Sequence, residues 1–219
     1  MIDYPLELHL ATASQLFPAI AALRFAGRLP AVRWWFLAWC LLSFLADGAQ
    51  LLSAHIAGSN LWLRLVTHPL RAALLFWTLS LWQLEPKPQR MMRQAIVIFI
   101  PVTLAVALLW EGAASFGDKS GPILQLGLLA GCVYTLVSRS VAATERLARE
   151  DWFWITLGLS LYFALNVALA PTAMALLRDN VPLLKQVLLF KARADILAFI
   201  LMTVGMLCPL PRNLSLKPT

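Results

Sequence analysis

Charge is scarce in this chain. Of its 219 residues, 13% are Asp, Glu, Lys or Arg, where a soluble domain carries about a quarter. A water-soluble chain so poor in charge and 60% hydrophobic could not cover its surface with polar groups. A bilayer removes that requirement, because lipid-facing side chains are apolar. Cysteine is also scarce: Cys40, Cys132 and Cys208 all lie in apolar stretches, which argues against a disulfide framework and for small packed residues. Histidine is limited to His9, His55 and His68, too few and too scattered for a metal-ligand spacing. A bis-histidine haem is also disfavoured, since His9 and His55 fall at or beyond the expected membrane edge. Basic residues are missing from the start of the chain. Asp3 and Glu7 stand there, and the first Lys or Arg is Arg24, which does not fit the basic n-region of a cleaved signal peptide.

What the chain does have is long apolar runs. About 20 such residues cross a hydrocarbon core of about 30 Å. Seven segments qualify, at approximately 8–25, 31–52, 61–84, 92–110, 122–138, 152–177 and 181–207. Backbone groups in hydrocarbon must bond within their own segment, so these are expected to be helices; a barrel would give short alternating stretches. The expected fold is all-α, a single polytopic seven-transmembrane-helix bundle over residues 1–219. No loop is long enough to be a separate domain. The longest, from about Arg139 to Asp151, has mixed charge and is a candidate extension of segment 5.

The formal net charge of +7 would suggest a nucleic-acid partner in a soluble protein. Here the basic residues sit in short connections, with no basic patch interleaved with aromatics, so no nucleic acid is expected. Eleven Lys and Arg fall after segments 1, 3, 5 and 7 (Arg24, Arg28 and Arg33; Lys87, Arg90 and Arg93; Arg139, Arg146 and Arg149; Arg212 and Lys217). The other side has four: Arg64, Lys119, Arg178 and Lys185. The positive-inside rule then places the N-terminus outside and the C-terminus in the cytoplasm of a bacterial inner membrane. Tryptophans fall at expected segment ends, Trp34, Trp35, Trp82, Trp152 and Trp154 inside and Trp62 and Trp110 outside, where indoles anchor at headgroups.

The ionisable residues within the runs are the candidate site. Each costs about 2.5–3.5 kcal/mol at mid-bilayer on insertion scales, so such residues face the bundle interior and pair there. They are Asp47 in segment 2, His68 and Arg71 in segment 3, and Lys191, Arg193 and Asp195 in segment 7. Ser14, Gln15, Gln50, Tyr162 and Asn166 add neutral polar company. His68 and Arg71 are i,i+3, while Tyr162–Asn166 and Lys191–Asp195 are i,i+4, so each pair shares a helix face. Arg193 points away from Lys191 and is expected to snorkel or to contact another helix. Given the topology, these groups gather in the outer half. Asp47, His68, Arg71, Tyr162, Asn166, Lys191 and Asp195 are the candidate ligand-binding set. Their bland reading is paired charge that fixes helix register, Asp47 with Arg71 and Asp195 with Lys191. Pro18, Pro69, Pro101 and Pro171 fall within segments and can kink them. Gly127 and Gly131 form a G-x-x-x-G in segment 5, which allows close helix approach or dimerisation.

Phe44 to Leu52 (FLADGAQLL), Ser59 to Leu63 (SNLWL), the polar segment 3 that follows, and Asp151 to Asn166 (DWFWITLGLSLYFALN) carry a resemblance. Across most of the chain, the sequence resembles a family of small, mostly uncharacterised bacterial seven-helix membrane proteins associated with neighbouring sensory histidine kinases. The resemblance implies a sensory or accessory membrane role and supplies no catalytic residues. The function expected is therefore non-enzymatic: a sensor, or an accessory subunit of a larger membrane complex. The partners expected are the bilayer, a protein at the cytoplasmic loops or within the membrane, and a small or lipid-like ligand. In the subunit version Trp39 and Trp77 are lipid-facing and pack on neighbouring chains or pigments. No cofactor is specified. A small-solute carrier is an alternative, without the internal repeat and matched prolines that such carriers have. A retinal-type pigment would use Lys191, but segment 3 offers no carboxylate counter-ion. An intramembrane enzyme would rest on Asp47 with His68.

Overall fold

The computed structural model describes residues 6–25, 27–57, 61–111, 120–143, 147–179 and 181–209. Among them there are helices and no strands: α1 (Leu6–Ser14), α2 (Phe17–Ala22), α3 (Ala31–Ala57), α4 (Leu61–Trp82), α5 (Pro86–Val106), α6 (Ser120–Ala142), α7 (Asp151–Asp179) and α8 (Val181–Leu207). Tighter turns follow α2 (Leu23–Phe25) and precede α7 (Leu147–Arg149), and a π-helical turn, Ala107–Glu111, extends α5. Four stretches, Leu6–Phe25, Pro86–Leu109, Ser120–Ala142 and Asp151–Leu169, are long and apolar enough to cross a membrane by length and composition. The remaining long helices α3, α4 and α8 hold the interior ionisable residues. The chain is an all-helical protein of membrane character.

Two segments depart from the sequence expectation for local reasons. The first is not one helix. Pro18 has no N–H to donate to the Ser14 carbonyl, and its ring excludes that carbonyl from an i→i−4 approach. So α1 stops at Ser14, the Gln15 and Leu16 amides donate to Thr12 and Ala13 in a tighter turn, and α2 starts with proline in its first turn. Gly27, at φ 80°, then adopts a left-handed conformation open to glycine at no steric cost. The fourth segment starts at Pro86 instead of residue 92. Prolines in a first turn sacrifice no helical hydrogen bond, so a polar turn runs ahead of the apolar stretch. Hydropathy marks where a helix becomes apolar, which is not where it begins. The fifth segment extends only to Ala142; the Arg139 to Asp151 connection is otherwise turn, with 144–146 outside the described residues.

The packing order forms a closed ring. α8 lies along α7 and takes α1 and α2 on its other side; α7 packs on α6, α6 on α4, α4 on α3, and α3 closes against α1 and α2. α5 sits outside the ring against α4 and α6. The α7–α8 contact is the most extensive, and glycines set it. A Cβ on Gly158 would stand 2.6 Å from the Ala198 carbonyl, and one on Gly205 would stand 2.6 Å from Ile155 and 2.9 Å from the Asp151 carbonyl. The Gly127 and Gly131 pair is used within the chain: Gly127 faces Phe99 of α5, and Gly131 faces Leu79 and Phe76 of α4.

Inside the ring the core is aromatic. Trp39 is 3% exposed and packs on Phe36, Tyr162, Phe163 and Phe199. This corrects the expectation that Trp39 faces lipid: it shares the inward face of α3 with Phe36, Cys40 and Ser43. Trp77 is half-buried, edge-on to Trp35, with the Arg93 guanidinium 4.6 Å from its ring centroid. Trp82 and Trp152 are buried in the bundle and so are not headgroup anchors, whereas Trp34 and Trp35 are exposed; the side chains of Trp62 and Trp110 lie outside the described set. Cys40, Cys132 and Cys208 are free and buried. The outer surface is apolar: Leu109, Val141, Val97, Leu23 and Leu6 are among its largely exposed side chains.

Candidate functional site

One end of the ring holds a partly open cavity of about 410 Å³, within the usual range for small-molecule sites. Its walls come from α1 (Leu8, His9, Thr12), the α1–α2 break (Gln15), α3 (Asp47, Gln50), α4 (Arg64), α7 (Tyr162) and α8 (Lys191, Asp195, Phe199). The helix break at Pro18 matters here, because it is what places Gln15 where its amide donates to Asp47 Oδ2 at 2.6 Å. The other oxygen, Oδ1, meets Arg71 Nη2 at 2.9 Å. Arg71 is held in turn by Ser43, one turn before Asp47, through its hydroxyl and its carbonyl, each at 3.0 Å. Across the cavity Lys191 Nζ lies 2.5 Å from Asp195 Oδ2 and 5.7 Å from the Tyr162 ring centroid. Arg64 donates to Gln50 Oε1 at 3.3 Å.

Four of the sequence candidates, Asp47, Tyr162, Lys191 and Asp195, line this cavity. His68 and Arg71 line a smaller adjacent pocket of about 50 Å³ that shares Tyr162 and is floored by Trp39 and Phe163. Asn166 lines neither; its amide donates to the Tyr162 carbonyl at 2.8 Å. Arg193 turns away from Lys191 to the exposed rim, 3.7 Å from Glu7. The pairs Asp47–Arg71 and Lys191–Asp195 both form. Asp47 and His68 do not form a dyad: both Asp47 oxygens are engaged by Arg71 and Gln15. Among the described residues, no group of three His, Cys, Asp or Glu side chains gathers to hold a metal.

The cavity is polar without being fully satisfied. Among its buried polar atoms, Asp195 Oδ1 and Gln15 Oε1 have no hydrogen-bond partner, and Asp195 and Gln15 are 8% and 4% exposed. Buried polar groups are almost always paired, and leaving one unpaired costs about 1–3 kcal/mol. Both residues line the cavity, with the unpartnered oxygens buried in its wall.

A second charged cluster lies at the other end of the ring, and sequence reasoning missed it. Arg33 is fully buried. Its Nε meets Asp151 Oδ2 at 2.8 Å, and its terminal nitrogens donate to the Met206 and Cys208 carbonyls at 3.2 and 3.0 Å. It thus ties the start of α3 to the first residue of α7 and the C-terminus of α8, where exposed carbonyls favour a cation. Asp151 Oδ1 also accepts the Trp152 amide at 2.7 Å. Burial pushes the Cys208 thiol above its ordinary range, with neighbouring Asp151 acting the same way, which makes it a packing group and a poor nucleophile. In the sequence Arg33 and Asp151 sit among other loop charges, and nothing separates them from a positive-inside signal. Ser43 and Arg64 were missed as site residues too; Arg64 reads as a lone outer-loop charge.

All-helical architecture, four membrane-length helices and a polar cavity inside an apolar exterior define the class. Beyond that class, neither protein-family models, nor curated proteins, nor solved structures gave a match to this chain.

Proposed function

We propose that this chain is a seven-span bundle of the bacterial inner membrane that senses a small ligand, with its N-terminus outside and the cavity open to the outer side. The single observation that carries the ligand reading is the cavity of about 410 Å³, whose wall holds the Lys191–Asp195 pair, Asp47 of the Asp47–Arg71 pair, and two unpartnered buried acceptors. Charges kept only to fix helix register would be expected to be closed off, as Arg33 and Asp151 are. Support for the seven spans comes from the lengths of α3, α4 and α8 and from the apolar exterior. The orientation rests on the distribution of Lys and Arg between the two sides. The sensory role is the one implied by the family resemblance. In this reading ligand entry shifts α8 against α7, and a protein partner at the basic cytoplasmic connections reads the movement.

The test is extraction in mild detergent from the protein's own membranes, followed by native mass spectrometry and an absorption spectrum. A small molecule retained on a lone chain supports the sensor. An empty bundle with co-purifying subunits favours the accessory-subunit reading instead. A carrier predicts substrate flux in proteoliposomes, whereas the sensor and the subunit predict none. Reporter fusions at 27 and 143 should report cytoplasm, and one between 112 and 119 the outer side.

A further inference from the structure

Resting on that ligand-site reading, we infer that the cavity selects an amphipathic oxyanion with a neutral hydrogen-bond donor close to the charge: a carboxylate or phosphate bearing a hydroxyl, attached to an apolar body. Three features of the wall specify these parts. The first is the charge balance. Lys191 is matched by Asp195 and Arg71 by Asp47, which leaves Arg64 as a cavity-lining cation whose hydrogen bond goes to an amide oxygen and which has no carboxylate partner among the described residues. A guanidinium presents a fork of donors suited to a carboxylate or phosphate.

The second feature is a pair of unpartnered acceptors buried in that wall, Asp195 Oδ1 and Gln15 Oε1, on α8 and the α1–α2 break, across the ring from Arg64 on α4. A donor is required there, and the charge state of that donor follows from its neighbour. Asp195 is already neutralised by Lys191 at 2.5 Å, so an ammonium on the free oxygen would stand beside the Lys191 cation. A hydroxyl satisfies the same oxygen without that repulsion. The third feature is the floor. Tyr162 and Phe199 line the cavity and pack at 5.7 Å between ring centroids, with Trp39 stacked beneath Phe199. That surface takes an apolar body.

Two sources supply this chemistry: a free hydroxy acid, and a glycerol-phosphate lipid headgroup. Binding to the full chain in phosphatidylcholine nanodiscs, measured by calorimetry, tests the inference with four probes that share one apolar body. They are 3-phenyllactate, 3-phenylpropanoate without the hydroxyl, phenylalanine with an ammonium in its place, and 3-phenyllactamide without the charge. The expected result is that 3-phenyllactate binds at least about tenfold more tightly than each of the others, since each lacks one matched interaction. In Arg64→Gln the advantage over the amide should vanish, and in Gln15→Leu the advantage over 3-phenylpropanoate should shrink. Nanodiscs of phosphatidylglycerol that abolish 3-phenyllactate binding identify the headgroup as occupant; unchanged binding identifies the free acid. Equal binding of 3-phenyllactate and 3-phenylpropanoate, or tighter binding of phenylalanine, overturns the inference on the wild-type chain alone, whatever the variants do. If none of the four binds while a different molecule is retained through extraction, the inference falls and the ligand site stands. If nothing binds and nothing is retained, both fall.

Discussion

Arg33 and Arg71 lie on adjacent helices, each paired with a carboxylate, yet they sit in opposite circumstances. Arg33 is fully buried, and its Asp151 partner has 15% of its side chain exposed; three of its nitrogens are used, two on helix-end carbonyls. The Arg71–Asp47 pair has 13% and 28% of its side chains exposed and adjoins a cavity whose wall holds two unpartnered acceptors. From Arg33 to Asp47, α3 spans about 21 Å at 1.5 Å per residue, so the two clusters occupy the two ends of one bundle. The same residue types close the ring at one end and leave capacity to bind at the other. Burial and saturation, rather than charge, separate a structural pair from a candidate site.

The sharpest way to break this contrast is Arg33→Leu. It leaves the largely enclosed Asp151 without its cation and two carbonyls unpaired, and thermal unfolding in detergent should record a loss of about 3–5 kcal/mol or no folded protein at all. A loss no greater than that of Arg71→Leu would erase the distinction between the ends. Gly158→Val comes next. Its side chain would collide with the Ala198 carbonyl and Met202, and overpacking of this kind costs about 1–3 kcal/mol; the same denaturation assay measures it. Arg71→Leu should cost less than Arg33→Leu, about 1–2 kcal/mol, because water in the cavity can serve Asp47. That variant should fold and lose ligand response, and full response in a folded Arg71→Leu protein would remove Arg71 from the site. Smallest of all is Arg193→Ala. Its 3.7 Å pair with Glu7 is largely exposed, and the change should stay within about 0.5 kcal/mol.

The helices were legible because an apolar run of bilayer length is a strong local signal. The expected 31–52, 61–84 and 181–207 are helices Ala31–Ala57, Leu61–Trp82 and Val181–Leu207. Their faces were legible too, since i,i+4 spacing puts Lys191 beside Asp195 without any tertiary information. What spacing cannot give is the partner across the bundle. It could name Asp47 with Arg71 as a pair, but not that Ser43 anchors Arg71, nor that a break at Pro18 swings Gln15 onto Asp47. Arg33 was hidden for a different reason. A basic residue at a helix start reads as a topology signal, and only the packed ends of α7 and α8 reveal that it is enclosed. Trp39 shows the same limit: in a chain this apolar, hydropathy does not tell the lipid side of a helix from the core side.

In the proposed reading the cavity end of the ring holds a ligand, while the Arg33–Asp151 end holds the bundle together. The most direct measurement is ligand occupancy by native mass spectrometry in the wild-type chain and in Thr12→Trp, which fills the cavity from α1. The expected result is a small-molecule adduct on the wild type and its absence from a folded Thr12→Trp protein. An adduct retained in Thr12→Trp, or a wild-type bundle that is always empty and always joined to other subunits, would contradict it.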